Sequence, residues 1–173
     1  MSLNPLRPDI SQAHFTGYSV IQTERCILRR FQESDLAGFM AYRNNPDWMQ
    51  YQGFCCRPEV EYRQVLLSPP SPEKGIQLAI CRKETGCLIG DVYLQKDGAD
   101  YWIGYTISPA FARRGFGFEA VSGLLTRLKS DYPNAIKAGV VPENIPSVRL
   151  LKKLGFSFSH TEDGELIFVF SNM

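Results

Sequence analysis

Ser108-Pro109-Ala110-Phe111-Ala112-Arg113-Arg114-Gly115-Phe116-Gly117-Phe118-Glu119-Ala120 joins a strand-like run to a helix through a basic, glycine-spaced turn. Upstream, Tyr101, Ile103, Tyr105 and Ile107 fall at period two, which predicts a strand. Downstream, Val121, Leu124, Leu125 and Leu128 recur at i, i+3, i+4 and i+7, which predicts a helix with one apolar stripe, ended by Asp131-Tyr132-Pro133. Gly115 and Gly117 carry no Cβ, so the turn can bend freely and let a ligand approach the backbone. The first N–H groups of such a helix lack partners within it and favour an anion. Arg113 and Arg114 add charge beside them, which suits a pyrophosphate better than a lone carboxylate. A plain helix start with two solvated arginines is the competing reading. Neither the G-x-x-x-x-G-K-[ST] nor the G-x-G-x-x-G spacing occurs.

A second segment, Val140 to Phe156, reads as strand end, capped helix and glycine stop. Asn144 suits the N-cap, Pro146 is tolerated in the first turn, and Val148, Leu151 and Leu154 form a narrow apolar stripe. Gly155 suits the left-handed position after the helix.

With these two segments in place the chain resembles the GNAT acetyltransferase superfamily, and within it the branch of ribosomal-protein N-terminal alanine acetyltransferases. The resemblance covers nearly everything after residue 22. It begins with Thr23-Glu24-Arg25-Cys26-Ile27-Leu28-Arg29, similar to that branch's T-E-R-L-x-L-R opening. It continues through Lys83 to Gly90, Ile103-Gly104-Tyr105, the Gly115/Gly117 turn, and Asn144-x-x-Ser147 followed by Leu154-Gly155-Phe156. It implies an acetyl-CoA site. The family's R/Q-x-x-G-x-G/A turn falls on Ala112, Arg113, Arg114, Gly115, Phe116 and Gly117, running into Phe118, whose main-chain donors would hold the pyrophosphate. Tyr105, Thr106 and Ile107 would pair with the pantetheine arm, and Asn144 and Ser147 would close the site. Ala112 stands where the family has Gln or Arg, a departure that removes a side chain but no main-chain donor.

Acetyl transfer to an amine requires a neutral amine, a polarised carbonyl and a proton for the leaving thiol. An α-amine, with a pKa of about 7.7–8.0, is partly neutral at pH 7, whereas lysine at about 10.4 is almost wholly charged. An N-terminal acceptor therefore depends less on a base. The resemblance makes Ser147 the candidate acid, against the plain alternative of a serine bonding backbone in the first helical turn. Relatives carry a carboxylate two residues before the strand glycine, and here Trp102 stands there, before Gly104. Trp102 is instead expected to form an aromatic floor for the acceptor. Candidate bases are Asp91, Asp100, Glu162 and Glu165, with Glu165 ranked first. Trp48, Tyr51, Phe54 and Tyr62 are expected to line the acceptor pocket, against a role in the core.

Composition agrees. A chain of 173 residues that is 44% hydrophobic can bury one core. Residues 1–22 are expected to form an N-terminal extension, with Met1-Ser2-Leu3 read as an expression remnant, and residues 23–173 a single domain. The net charge of +1 offers no broad field for nucleic acid or a membrane surface, and no apolar run is long enough to span a bilayer, so a cytoplasmic location is expected. Five cysteines form no C-x-x-C pair and only two histidines are present, so no metal is expected. Cys26, Cys81 and Cys87 are read as core residues; Cys55-Cys56, without a local histidine, is not read as catalytic.

Strands are expected within Tyr18–Phe31 and at Ile76–Cys81, Leu88–Gln95, Tyr101–Ile107, Ala135–Val141, Phe156–His160 and Leu166–Phe170, with further helices at Glu33–Asn44, Pro46–Tyr51 and Pro58–Leu67. The order predicts an α+β domain, the GNAT acyl-CoA N-acyltransferase fold, with a mixed, mainly antiparallel sheet flanked by helices. The implied activity is transfer of acetyl from acetyl-CoA to a primary amine in a ternary complex, first a protein or peptide α-amine. A small-molecule amine is the second acceptor class. A non-catalytic acyl-CoA-binding module is the alternative outside catalysis, with Trp102 in its favour and Ser147 against it. Monomer and homodimer are both open.

Overall fold

Alternating apolar residues build one sheet against which the helices lay their stripes. The computed structural model describes residues 20–131 and 133–171. In chain order the elements are β1 (Ile21–Gln22), β2 (Cys26–Arg30), a short 3-10 turn (Glu33–Asp35), α1 (Leu36–Arg43), α2 (Glu59–Leu67), β3 (Ile76–Arg82), β4 (Leu88–Asp97) and β5 (Asp100–Ile107). After a second 3-10 turn (Pro109–Phe111) come α3 (Phe116–Lys129), β6 (Ala135–Val140), α4 (Ile145–Lys153), β7 (Ser157–Glu162) and β8 (Glu165–Ser171). The described strands form an eight-stranded sheet in the order β1-β2-β3-β4-β5-β6-β8-β7.

The element order matches the α+β expectation, with local corrections. The helix expected over Glu33–Asn44 opens as a 3-10 turn, because the Asp35 carboxylate turns back to accept from Gln32 N at 2.7 Å. Pro46–Tyr51 forms turns rather than a helix: Asn45 Oδ1 accepts from Trp48 N at 3.2 Å and pulls the backbone into a local turn. Cys26 and Cys81 are buried as read, but Cys87 is exposed in the turn between β3 and β4. Tyr18 and the 1–15 arm lie outside the described residues, as does most of the 1–22 extension.

The sheet divides the core in two. Val92, Leu94 and Ile103 point to one face, where they meet Leu124, Leu125 and Leu128 of α3 and Leu151 of α4. Ala79 and Cys81 point to the other, under Phe39, Tyr42 and Tyr62 of α1 and α2. Each buried aliphatic side chain contributes roughly 1.5–3 kcal/mol relative to exposure, which is what holds the helices to their faces.

One junction departs from the antiparallel ladder. β5 and β6 are parallel, and they pair only at Tyr101↔Ile136 and Trp102↔Lys137. β5 runs on to Ile107 and β6 to Val140 without further partners in each other, so the two strands part toward their C-terminal ends.

Candidate active site

Where β5 and β6 part, the free edge of β5, the start of α3 and the start of α4 enclose a cleft of about 490 Å³. The expected nucleotide-binding residues converge there. Tyr105, Thr106, Ile107, Ala112, Arg113, Gly115, Phe116, Gly117 and Phe118 all line it, with Asn144 and Ser147 on the facing wall. Arg114 does not; its guanidinium packs on the rings of Phe111 at 5.7 Å and Phe116 at 5.3 Å.

The anion end of the cleft follows from the backbone. Gly115 is the N-cap of α3 in the left-handed region, at φ +79°, and Arg113 also stands there at φ +60°. A left-handed non-glycine residue costs about 1–2 kcal/mol, so Arg113 is held by its surroundings rather than by its own preference. No side chain caps α3, and the first main-chain bond in its opening turn is Glu119 N to Gly115 O at 3.1 Å. The N–H groups of Phe116, Gly117 and Phe118 therefore precede the helix's own ladder, beside Arg113. A Cβ on Gly117 would meet Ile107 at 3.4 Å and Leu150 at 3.5 Å, so the absence of a side chain brings α3, β5 and α4 together there.

The opposite end carries two hydroxyls. Asn144 caps α4, its Oδ1 accepting from Ser147 N at 3.4 Å, which fixes Ser147 in the first turn. Ser147 Oγ lies 2.8 Å from Tyr105 Oη across the gap between β5 and α4. Burial pushes the Tyr105 phenol up to about 12, with the Ser147 contact drawing it slightly back. The hydroxyl partnership was not legible beforehand, because Tyr105 sits on the apolar period of β5 and reads as core or as a backbone position.

The other expected site residues separate. Trp48 and Tyr51 line the cleft, with Trp48 Nε1 donating to Ile107 O at 2.9 Å. Phe54 does not line it: its ring packs on Phe39 at 6.3 Å and Tyr62 at 5.2 Å, within the second core. Trp102 lies outside the cleft as well, because it belongs to the still-paired part of β5, with Lys137 Nζ over its ring at 5.6 Å.

Asp91, a candidate base, is fully buried and committed elsewhere. It accepts from Tyr42 Oη at 2.5 Å, Arg43 Nη2 at 2.5 Å and Gln77 Nε2 at 2.6 Å. Asp100 is paired with Lys137 at 2.6 Å. Glu162 stands 3.8 Å from His160 in the exposed β7. Glu165 is outside the cleft lining; its carboxylate reaches over Gly139 of β6. Pairing across the sheet puts Glu165 on the same face as Gly139 and Asp91, the face that α1 and α2 cover. Several lining residues were not among the expected ones, and two of them are charged: Asp47, in the turns after α1, and Lys153, whose ammonium lies over Phe118 at 4.4 Å.

The profile of the acetyltransferase (GNAT) domain matches residues 25–157. The chain belongs to the GNAT acetyltransferase family. Among its relatives is the uncharacterized N-acetyltransferase YnaD of Bacillus subtilis, 26% identical over 140 residues that span 78% of this chain and 81% of that protein. The ribosomal-protein-S5-alanine acetyltransferase from Vibrio fischeri superposes with a TM-score of 0.71 at 18% identity, covering 89% of this chain and 97% of that one. RimJ of Mycobacterium smegmatis, solved in complex with CoA-disulfide, gives 0.70 at 19% identity, over 90% of this chain and 89% of that one. The GNAT fold and an acetyl-CoA-dependent acetyltransferase activity are thus assigned. The parted strands, the start of α3 and the Ser147–Tyr105 pair line one cleft of this GNAT acetyltransferase. No helix among the described residues is long and apolar enough to cross a membrane.

Proposed function

We propose that this GNAT acetyltransferase acetylates a primary α-amine at the N-terminus of a protein or peptide, with Ser147 as the proton donor to the leaving thiol. The observation that carries the reading is the 2.8 Å contact between Ser147 Oγ and Tyr105 Oη at the end of the cleft away from the phosphate-binding turn. The residues present fit the cosubstrate: unladdered N–H groups and Arg113 for the pyrophosphate, and for the pantetheine amides the edge of β5 that β6 leaves beyond Trp102, where Trp48 already holds Ile107 O. Acetyl-CoA supplies the activated acetyl thioester. Ser147 Oγ–H gives its proton to the leaving sulfur and regains one from solvent, which the proton released by the amine replaces, while Tyr105, neutral at any ordinary pH, holds Ser147 Oγ in place at 2.8 Å.

The acceptor reading rests on the sparse acidity of the cleft. Asp47, itself exposed, is the one carboxylate among the described lining residues, which suits an amine already partly neutral. Trp48 and Tyr51, 41% and 39% exposed, offer flat apolar faces to a short peptide. Glu165 lies outside the cleft lining, on the α1/α2 face, and takes the amine proton only if the acceptor approaches across that face. The similarity to an alanine acetyltransferase in fold supports the same class.

The test is thiol release from acetyl-CoA across N-terminal peptides and small amines. Turnover with peptides is expected; turnover with small amines alone moves the acceptor to that class, and CoA binding without any turnover favours a binding module. Ser147→Ala is expected to lower kcat about a hundredfold with KM for acetyl-CoA nearly unchanged. Wild-type turnover in that variant removes the acid assignment, and an unchanged pH–rate profile in Glu165→Gln removes the base.

A further inference from the structure

The first turn of α3 carries a carboxylate, Glu119, which lies outside the cleft lining but in the same turn whose N–H groups the acetyl-CoA reading reserves for phosphate. A carboxylate there is itself an anion satisfying the helix N-terminus, so it competes with a bound phosphate and repels it. The chain answers from a segment 94 residues away. Thr23 Oγ1 and Arg25 N both donate to Glu119 Oε1 at 2.6 Å, and Arg25 Nε donates to Oε2 at 2.7 Å. The same guanidinium donates through Nη1 to Arg114 O at 3.1 Å and lies 4.2 Å over the Phe116 ring. A Cβ on Gly115 would stand 3.3 Å from its Nη2, so Arg25 also abuts the left-handed cap. Partial burial pushes the Glu119 carboxyl up, but the bonds from Thr23 and Arg25 outweigh it and hold it below the ordinary carboxylate range.

We infer that Arg25 is a positioning residue for the phosphate-binding turn: it cancels the Glu119 carboxylate and pins the Arg114 carbonyl, leaving the Arg113–Gly117 turn open to an anion. The inference rests on the acetyl-CoA reading above. It gives the Thr23-Glu24-Arg25 segment a physical task that its sequence did not disclose. Cancellation is local, since the three guanidiniums of Arg25, Arg82 and Arg114 gather around one ring, Phe116, while the whole chain is nearly neutral.

The decisive experiment is calorimetric binding of CoA to the full chain, with circular dichroism and a thermal midpoint for every variant. Arg25→Ala is expected to weaken CoA binding roughly tenfold, as a bared carboxylate beside a phosphate would. Adding Glu119→Gln to Arg25→Ala is expected to recover at least about threefold, because the repelling charge is gone. Arg25→Lys, which keeps the charge, is expected to bind within about threefold of wild type. A merely structural contact gives the opposite sign: the second change would remove more bonds and leave binding equal or worse. That outcome, or an Arg25→Ala protein that binds like wild type, overturns the inference. Wild-type protein that does not bind CoA overturns the acetyl-CoA reading, and the inference with it. If Arg25→Ala is unfolded, Arg25→Gln with and without Glu119→Gln makes the same comparison of sign.

Discussion

Two ion pairs each tie a distant segment to the sheet region, and they differ in what they leave open. Arg43 and Asp91, 4% and 0% exposed, are sealed between α1 and β4, and Tyr42 and Gln77 fill the remaining acceptor positions. Arg25 and Glu119 stand beside the start of α3, outside the cleft lining, with side chains 43% and 16% exposed. A sealed pair has already lost its water, so each charge depends on the other and the pair is worth most when one partner is taken away. A half-exposed pair loses less water and adds less stability than a sealed one, and it also changes the field around it. On the inference above, the first pair serves folding and the second also serves the turn before α3.

The largest expected effect breaks the sealed pair. Asp91→Ala leaves a buried guanidinium without its carboxylate and is expected to lower stability by about 3–5 kcal/mol in a urea titration. Protein that remains folded should bind CoA as wild type does. Loss of CoA affinity in the folded fraction would erase the division between the two pairs.

Next in size is the turn that the half-exposed pair supports. Gly115→Ala places a Cβ on a left-handed residue and presses it toward Arg25, which is expected to cost about 1–2 kcal/mol of stability and to weaken CoA binding. An unchanged thermal midpoint would show that the cap relaxes to another conformation.

The smallest effect concerns Tyr105. Tyr105→Phe removes one partly buried hydrogen bond, expected at about 0.5–1.5 kcal/mol, and should lower kcat severalfold while CoA affinity holds. Its phenol is raised to about 12, above the roughly 10 of an unfolded tyrosine. The stability that this shift contributes is fully present below about pH 10 and is lost as pH rises through about 12. Wild type should therefore lose stability over that alkaline range more steeply than Tyr105→Phe, as pH-resolved thermal melts would read.

The second of these pairs explains why part of the site could be read before the fold was known. The candidate phosphate-binding turn is contiguous, with Gly115, Gly117 and a periodic helix following within a few residues, so spacing alone exposes it. The Asn144 cap and Ser147 are contiguous too. Asp91 looked like a candidate base because a carboxylate on a strand carries no mark of what faces it; the fold places Tyr42, Arg43 and Gln77 around it. Phe54 and Trp102 misled for the same reason. An aromatic ring has the same sequence signature in a core, on a strand face or in a pocket.

By itself the sequence determined the strands and most helices of this acetyltransferase, the glycine turn before α3 and the capped helix that carries Ser147, since each depends on periods and caps within a short stretch of chain. Tertiary structure decided which hydroxyl meets Ser147, which carboxylates are buried in ion pairs and which arginine faces Glu119. Those outcomes depend on charge and shape meeting across 42 to 94 residues of separation, where no local period connects the partners.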